Sequence, residues 1–319
     1  MSNPGTTSAA VTAATAATTA ANAAITAATQ ATGGPGAPAS APAPASTAPA
    51  NIVLDGIVQE FPRPEGGVNR VIDTLNLRFD GPSINMLLGP SGCGKSTLLY
   101  MMGGVRPLNT VMPSQGRILI DGVPCDDAHD DAVMVFQRYA NRPDLSVYDN
   151  VGFPFRLKLW RDRVPKAERH ERILHMLEAV GLADKAKLSP SQLSGGQNQR
   201  IALARSLMLK PRILLMDEPF GALDAQTREG MQQLLVKLYD EYPCLIVFVT
   251  HDVTEALLLG DRVVVLSTQP ARIADDFEIH TPRPRDAGWL RMPEAAALEQ
   301  RILSRLHQAA GRGNVRVTV

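Results

Sequence analysis

Residues Gly89-Pro90-Ser91-Gly92-Cys93-Gly94-Lys95-Ser96-Thr97 fit the pattern G-x-x-x-x-G-K-[ST] and lie between an apolar run, Ile84 to Leu88, and a helical stretch, Lys95 to Gly103. No other feature constrains the chain as strongly. A strand that turns through glycines into a helix start aims backbone N–H groups inward, and the helix end adds partial positive charge. Lys95 then reaches the outer phosphates of a nucleotide, and Ser96 offers a hydroxyl to magnesium. Such a turn implies an α/β fold with the loop at the carboxyl end of a strand.

A second run, Ile213-Leu214-Leu215-Met216, ends in Asp217-Glu218-Pro219. An acidic pair at a strand end often just meets water. After a P-loop, however, it places one carboxylate for magnesium and one for a water molecule. Asp217 is the expected metal residue, acting through water. Glu218 projects differently and is the expected general base, a role worth roughly 10² to 10⁴ in rate.

Leu193-Ser194-Gly195-Gly196-Gln197 precedes a helix, Gly195 to Leu209, whose apolar positions include Ile201, Leu203 and Leu207. A serine N-cap explains Ser194. The two glycines add exposed N–H groups, a second anion site at a helix start. Here the sequence resembles the ABC ATPases, whose signature is L-S-G-G-Q, over about residues 51–285.

The resemblance implies an α/β P-loop NTPase of the ABC ATPase fold: a RecA-like core, an antiparallel β subdomain, and an inserted helical subdomain at about residues 140–207. It implies ATP and Mg2+ as cofactors and a head-to-tail homodimer. In that arrangement Ser194, Gly195, Gly196 and Gln197 of one chain close on the γ-phosphate of ATP held by Gly89 to Thr97 of the other. Phe61 matches the aromatic that stacks on adenine, where Tyr is common. Gln137 matches the glutamine that touches magnesium and senses the membrane partner. Asp224 matches an aspartate at the dimer seam, and His251 in Thr250-His251-Asp252 the histidine that bonds the γ-phosphate and orients water. The catalytic set is thus Glu218, His251 and Gln137, and the metal set Ser96, Gln137 and Asp217. Three features depart from the pattern: Gly81-Pro82-Ser83 in place of a Gly-Glu turn, a longer loop from Leu108 to Ser114, and the N-terminal extension.

The first 50 residues are almost all Ala, Thr, Pro, Ser, Gly and Asn, and the first charged side chain is Asp55. They cannot bury a core and are expected to be a disordered tail. Beyond them, expected strands are Asn51 to Val58, Ile84 to Leu88, Gly116 to Ile120, Ala132 to Phe136, Ile213 to Met216, Leu245 to Val249 and Arg262 to Leu266. Further helices are expected over Pro165 to Val180, Ala225 to Glu241, Thr254 to Gly260 and Pro293 to Ala310, the last within a C-terminal extension, 286–319. Lys+Arg and Asp+Glu number 32 each among 319 residues, so a whole-molecule basic field is absent, no polyanion partner is demanded and no nucleic-acid partner is expected. No apolar run approaches the roughly 18 residues of a membrane span, and the first residues lack a signal peptide's basic charge. Three scattered cysteines, Cys93, Cys125 and Cys244, form neither a disulfide framework nor a zinc site. The expectation is a cytosolic chain.

The segment from Arg138 to Leu193 is too short for the coiled-coil arms of DNA-repair ABC ATPases, and one cassette is too few for the translation-associated type. A cassette separate from membrane helices resembles a bacterial importer subunit, peripheral at the cytoplasmic face of the inner membrane. Its partners would be transmembrane permease subunits and, indirectly, a periplasmic solute-binding protein. Docking is expected near Gln137 and Tyr139. Residues Asp217 to Arg228, Val263 to Ser267, Pro270 to Ile273 and Pro282-Arg283-Pro284-Arg285 resemble the nitrate/sulfonate/taurine import group. An ABC ATPase of another transport system, or a non-transport ABC ATPase, is the alternative.

Overall fold

Strands buried on both faces read as unbroken apolar runs, and such runs build the centre of this molecule. The computed structural model describes residues 49–310, apart from 64, 107–111, 138–139, 158–163 and 269. All but the last two residues of the expected tail, Tyr139, and most of the loop at 108–114 therefore lie outside the described residues. The elements below belong to one unit, Ala48–Val105 with Met112–Val319.

Among the described residues, ten strands form two sheets. In chain order they are β1 (Asn51–Pro62), β2 (Val68–Asp80), β3 (Ser83–Leu88), β4 (Gln115–Ile120), β5 (Val123–Pro124), β6 (Ala132–Val135), β7 (Ile213–Asp217), β8 (Leu245–Thr250), β9 (Arg262–Leu266) and β10 (Ile273–Glu278). A six-stranded sheet runs β10-β9-β3-β8-β7-β6, and a four-stranded sheet runs β2-β1-β4-β5. Within the larger sheet β9, β3, β8, β7 and β6 are parallel, and β10 closes one edge antiparallel to β9. Every residue of β7 and β8 is buried. The smaller sheet is antiparallel throughout.

The α-helices among the described residues are α1 (Lys95–Met102), α2 (Val147–Val151), α3 (Lys166–Ala179), α4 (Gly195–Leu207), α5 (Ala225–Glu241), α6 (Val253–Leu259) and α7 (Pro293–Ala310). The six expected helices are present, with ends shifted by at most two residues, the scatter that fraying ends produce. Expected strands are present too, but β1 runs four residues further and β6 stops one residue short. Helix α2 and strands β2, β5 and β10 are additions. Strand β2 alternates buried Leu75, Leu77 and Phe79 with exposed Thr74, Asn76, Arg78 and Asp80, a period-two signal that the sequence carries openly.

The two sheets meet beside the glycine-rich turn. Asp73 N–H donates to the Ala271 carbonyl (3.1 Å), and Ala271 N–H donates to the Val71 carbonyl (2.8 Å). An ion pair reinforces the seam: Arg272 and Arg70 both hold the Asp73 carboxylate, and the Arg272 bond draws its carboxyl below the usual range.

Two arginines of the Pro282-Arg283-Pro284-Arg285 segment clamp the far end of α6. Buried Arg285 donates to the carbonyls of Leu257 (2.8 Å), Gly260 (2.6 Å) and Thr281 (2.8 Å), and burial lowers its guanidinium to about 10. Arg283 bonds the Leu259 carbonyl (3.1 Å) and the Asp261 carboxylate (3.2 Å). Carbonyls at a helix C-terminus have no helical partner, and a cation there satisfies both the bonds and the dipole.

Helix α7 buries Ala295 and Ile302 in the core that also contains Phe277 and Trp289. Arg301 (2.6 Å) and Arg305 (3.2 Å) both reach Asp275 of β10. The Arg301 bond is the main cause that holds the Asp275 carboxyl at about 2, well below the usual carboxylate range. A depressed carboxyl stabilises the fold above its unfolded pKa and loses that contribution as pH falls through its folded value. Asp275→Asn should therefore lower the melting temperature at neutral pH, and its deficit against wild type should shrink as pH falls from about 4 towards about 2. Thermal scans of both proteins across that range check this; a deficit independent of pH counts against it.

Candidate nucleotide site

The turn after β3 needs its glycines for shape. Gly92 (φ 76°) and Gly94 (φ 107°) occupy the left-handed region, and a Cβ on Gly94 would stand 3.0 Å from Val71 Cγ1. Gly89 is tight for another reason, since a Cβ there would lie 2.8 Å from Cys93 Sγ. Lys95 opens α1 and is only 4% exposed. Its ammonium donates to the carbonyls of Gly89 (2.7 Å) and Pro90 (3.0 Å), the mouth of its own loop. Phosphate oxygens offer that ammonium stronger, charge-assisted partners.

Strand β7 carries the acidic pair to the same place. Ser96 Oγ donates to Asp217 Oδ1 (2.8 Å), joining the helix start to the strand end. Burial raises the Asp217 carboxyl, while hydroxyl bonds from Ser96 and Tyr100 pull it down. Tyr100 is itself raised, by burial first and then by the Asp217 charge. Tyr100 is not among the residues expected from the sequence, although it stands four residues after Ser96 on one helix face.

Glu218 continues past β7 with its N–H on the Val249 carbonyl (3.0 Å) and a φ of 43°, a conformation that costs free energy for a non-glycine residue. This backbone aims its side chain at the end of β8. Glu218 Oε2 lies 3.1 Å from His251 Nδ1, with the Glu218 side chain 21% and the His251 side chain 57% exposed. The structure thus brings Lys95, Ser96, Asp217, Glu218 and His251 to the carboxyl ends of three neighbouring strands.

Magnesium favours a few hard oxygen donors and retains waters. One hydroxyl and one carboxylate in direct contact, Ser96 and Asp217, fit that need together with phosphate oxygens. No cluster of three or more His, Cys, Asp or Glu suited to a metal occurs among the described residues.

The other expected residues fall elsewhere. Ser194 caps α4 in a reciprocal box: Gln197 N–H donates to Ser194 Oγ (3.3 Å) and Ser194 N–H donates to Gln197 Oε1 (3.1 Å). Gly196 has a packing role that the sequence reading missed, because a Cβ there would lie 2.3 Å from Thr227 Cγ2 on α5. Asp224 caps α5, accepting Thr227 N–H (3.0 Å) and the Thr227 hydroxyl (2.7 Å), and the backbone bond lowers its carboxyl. No bond connects Ser194 to Gln197 with the glycine-rich turn among the described residues. Gln137 is exposed just beyond β6, beside Phe136, whose ring stands 6.2 Å from that of Tyr100 on α1. Phe61, on β1 opposite Asn69, is half-buried against the cluster that includes Val71 and Ile72, the residues facing Gly94.

Comparison with known proteins agrees with this geometry. The ABC transporter family profile matches residues 72–221. An aliphatic sulfonates import ATP-binding protein, SsuB 3 of Pseudomonas syringae pv. tomato, is 42% identical over 240 residues, 75% of this chain and 82% of the relative. A nitrate import ATP-binding protein, NrtC of Synechocystis, is 40% identical over 235 residues, 73% of this chain and 34% of that longer protein. Among solved structures, a dimeric ATP-binding cassette in a post-hydrolysis state with ADP and Pi aligns with a TM-score of 0.61 and 32% identity, covering 72% of this chain and all of that one. The parallel sheet, the glycine-rich turn and these relatives agree: the chain belongs to the ABC transporter family, as one of its ATP-binding cassettes.

Proposed function

We propose that this chain is the ATP-hydrolysing subunit of an importer, powering solute uptake through a separate permease. The observation that carries the reading is the joint placement of Lys95, Ser96, Asp217, Glu218 and His251. In this reading Gly89 to Thr97 wrap the phosphates of ATP, Lys95 exchanges its two carbonyls for phosphate oxygens, and Phe61 stacks on adenine. Ser96, Asp217 and Gln137 would hold Mg2+, which when bound supplies positive charge to the phosphates. Glu218 takes a proton from the attacking water. His251 holds the Glu218 carboxylate and faces the γ-phosphate.

Two chains pair head to tail. The α4 start of one, Ser194 to Gln197, then lies over the triphosphate of the other, with Asp224 at the seam. The dimeric form of the solved cassette that this chain resembles supports this pairing. Gln137 faces the permease. No helix among the described residues is long and apolar enough to cross a membrane. In this reading the chain sits peripherally at the cytoplasmic membrane face, against its permease. A periplasmic solute-binding protein would deliver the solute, of the nitrate/sulfonate/taurine group; the relatives name aliphatic sulfonates and nitrate.

Cells lacking the chain should lose uptake of an alkanesulfonate, taurine or nitrate, and regain it from a plasmid encoding wild type but not Glu218→Gln. Unchanged uptake of all three removes this solute group. Rescue by Glu218→Gln removes the coupling of hydrolysis to transport.

A further inference from the structure

Helix α5 starts at Asp224 and, within two turns, sends two side chains to the opening turn of α6. Arg228 donates to the Leu223 carbonyl through Nη2 (3.0 Å) and to the Asp252 carboxylate through Nη1 (3.3 Å). One turn later, Gln232 Nε2 donates to Glu255 Oε1 (3.3 Å). Asp252 accepts the Glu255 N–H (3.0 Å), capping α6, and gives its own N–H to Thr250 Oγ1 (3.0 Å). His251 lies between Thr250 and Asp252. Its neighbours on both sides are therefore tied, while its ring is left to Glu218.

The Arg228–Asp252 pair is about one-third exposed on each side, so its charge attraction alone is worth little. Its geometry matters more. A planar guanidinium can bond two groups at fixed spacing, and here it joins the turn before Asp224 to the turn after His251. Arg228 Nε is buried with no partner among the described residues, an unpaired donor that packing alone does not account for. Arg228 also lines one cleft with Glu218, Thr250, His251 and Glu255.

We propose that Arg228 is a positioning residue for hydrolysis: it sets His251 against Glu218 by tying Asp252 to the Leu223 carbonyl, so that displacement of the Leu223-Asp224 turn reaches the histidine. The inference rests on the roles proposed above for Glu218 and His251. The far end of the same two-turn helix is held by Arg283 and Arg285, and its opening turn by Arg228 and Gln232.

The test uses the purified full chain, ATP with magnesium, and three readouts: kcat, KM for ATP, and affinity for a fluorescent ATP analogue. Arg228→Ala should lower kcat about tenfold to a hundredfold, the scale of a misplaced group, with KM and affinity unchanged within about threefold. Arg228→Lys keeps the charge but replaces the planar fork, with its fixed spacing between donors, by a single ammonium, so it should recover little of the rate. Asp252→Asn should lower kcat less, and the double variant should be no slower than Arg228→Ala alone, because both act on one link. Wild-type kcat in Arg228→Lys overturns the proposal, even where Arg228→Ala fails to fold. So do additive losses, or a parallel loss of affinity and rate. Should Glu218→Gln itself hydrolyse at the wild-type rate, the parent reading fails. Should Glu218→Gln be inactive while the Arg228 variants run at full speed, only this inference fails.

Discussion

Glu218→Gln should lower ATP hydrolysis by roughly 10² to 10⁴, the span ascribed to a positioned general base, while leaving nucleotide affinity within a few-fold of wild type. The substitution keeps shape and hydrogen bonding. A glutamine can still meet His251 Nδ1, 3.1 Å away in the wild type, and still accept the left-handed backbone at this position. What it lacks is basicity towards water. Binding energy should then go unspent on turnover, and ATP with magnesium should accumulate a closed dimer visible by size-exclusion chromatography with light scattering. A variant that stays monomeric and hydrolyses at the wild-type rate removes Glu218 from its assigned role.

Lys95→Ala should act one step earlier, on binding. The ammonium is almost fully buried and is held by two loop carbonyls, so its loss removes the charged donor from the mouth of the turn. A hydrogen bond to a charged group contributes about 1.5–3 kcal/mol, which corresponds to a loss of roughly tenfold to more than a hundredfold in ATP affinity. Calorimetric titration of both proteins distinguishes this from a purely catalytic lysine. Equal affinities would mean that the carbonyls keep the ammonium even when phosphate is present.

The two variants separate the halves of the site, and the same division appears in how the sequence discloses it. Contiguous segments are legible. Gly89 to Thr97 and Ile213 to Glu218 each carry their role in adjacent residues, and their strands are apolar throughout because they are covered on both faces. Strand β2 is harder to see although Leu75, Leu77 and Phe79 alternate cleanly, because buried Asp73 and the pair Val71-Ile72 interrupt the pattern at its start. Strand β10 hides behind Asp275 and Asp276, whose charges are met by Arg301, Arg305 and Arg262 from distant segments.

Links between segments were not legible. Gly196 reads as a source of exposed N–H groups, and only the packing against Thr227 reveals the second demand on it. Arg283 and Arg285 resemble a mark of kinship, and the structure gives them work at the end of α6. Arg228 lies 24 residues from Asp252, so nothing local in the chain announces their bond. Resemblance to a family supplied the positions of Gln137, Asp224 and His251; neither periodicity nor spacing would have found them.

Calorimetric titration of the folded, full-length wild-type chain with ATP, with and without magnesium, probes the foundation of all these readings. Saturable binding at one site per chain, tightened by magnesium, is the predicted result. A chain with a cooperative melting transition that takes up no ATP under either condition would contradict the account.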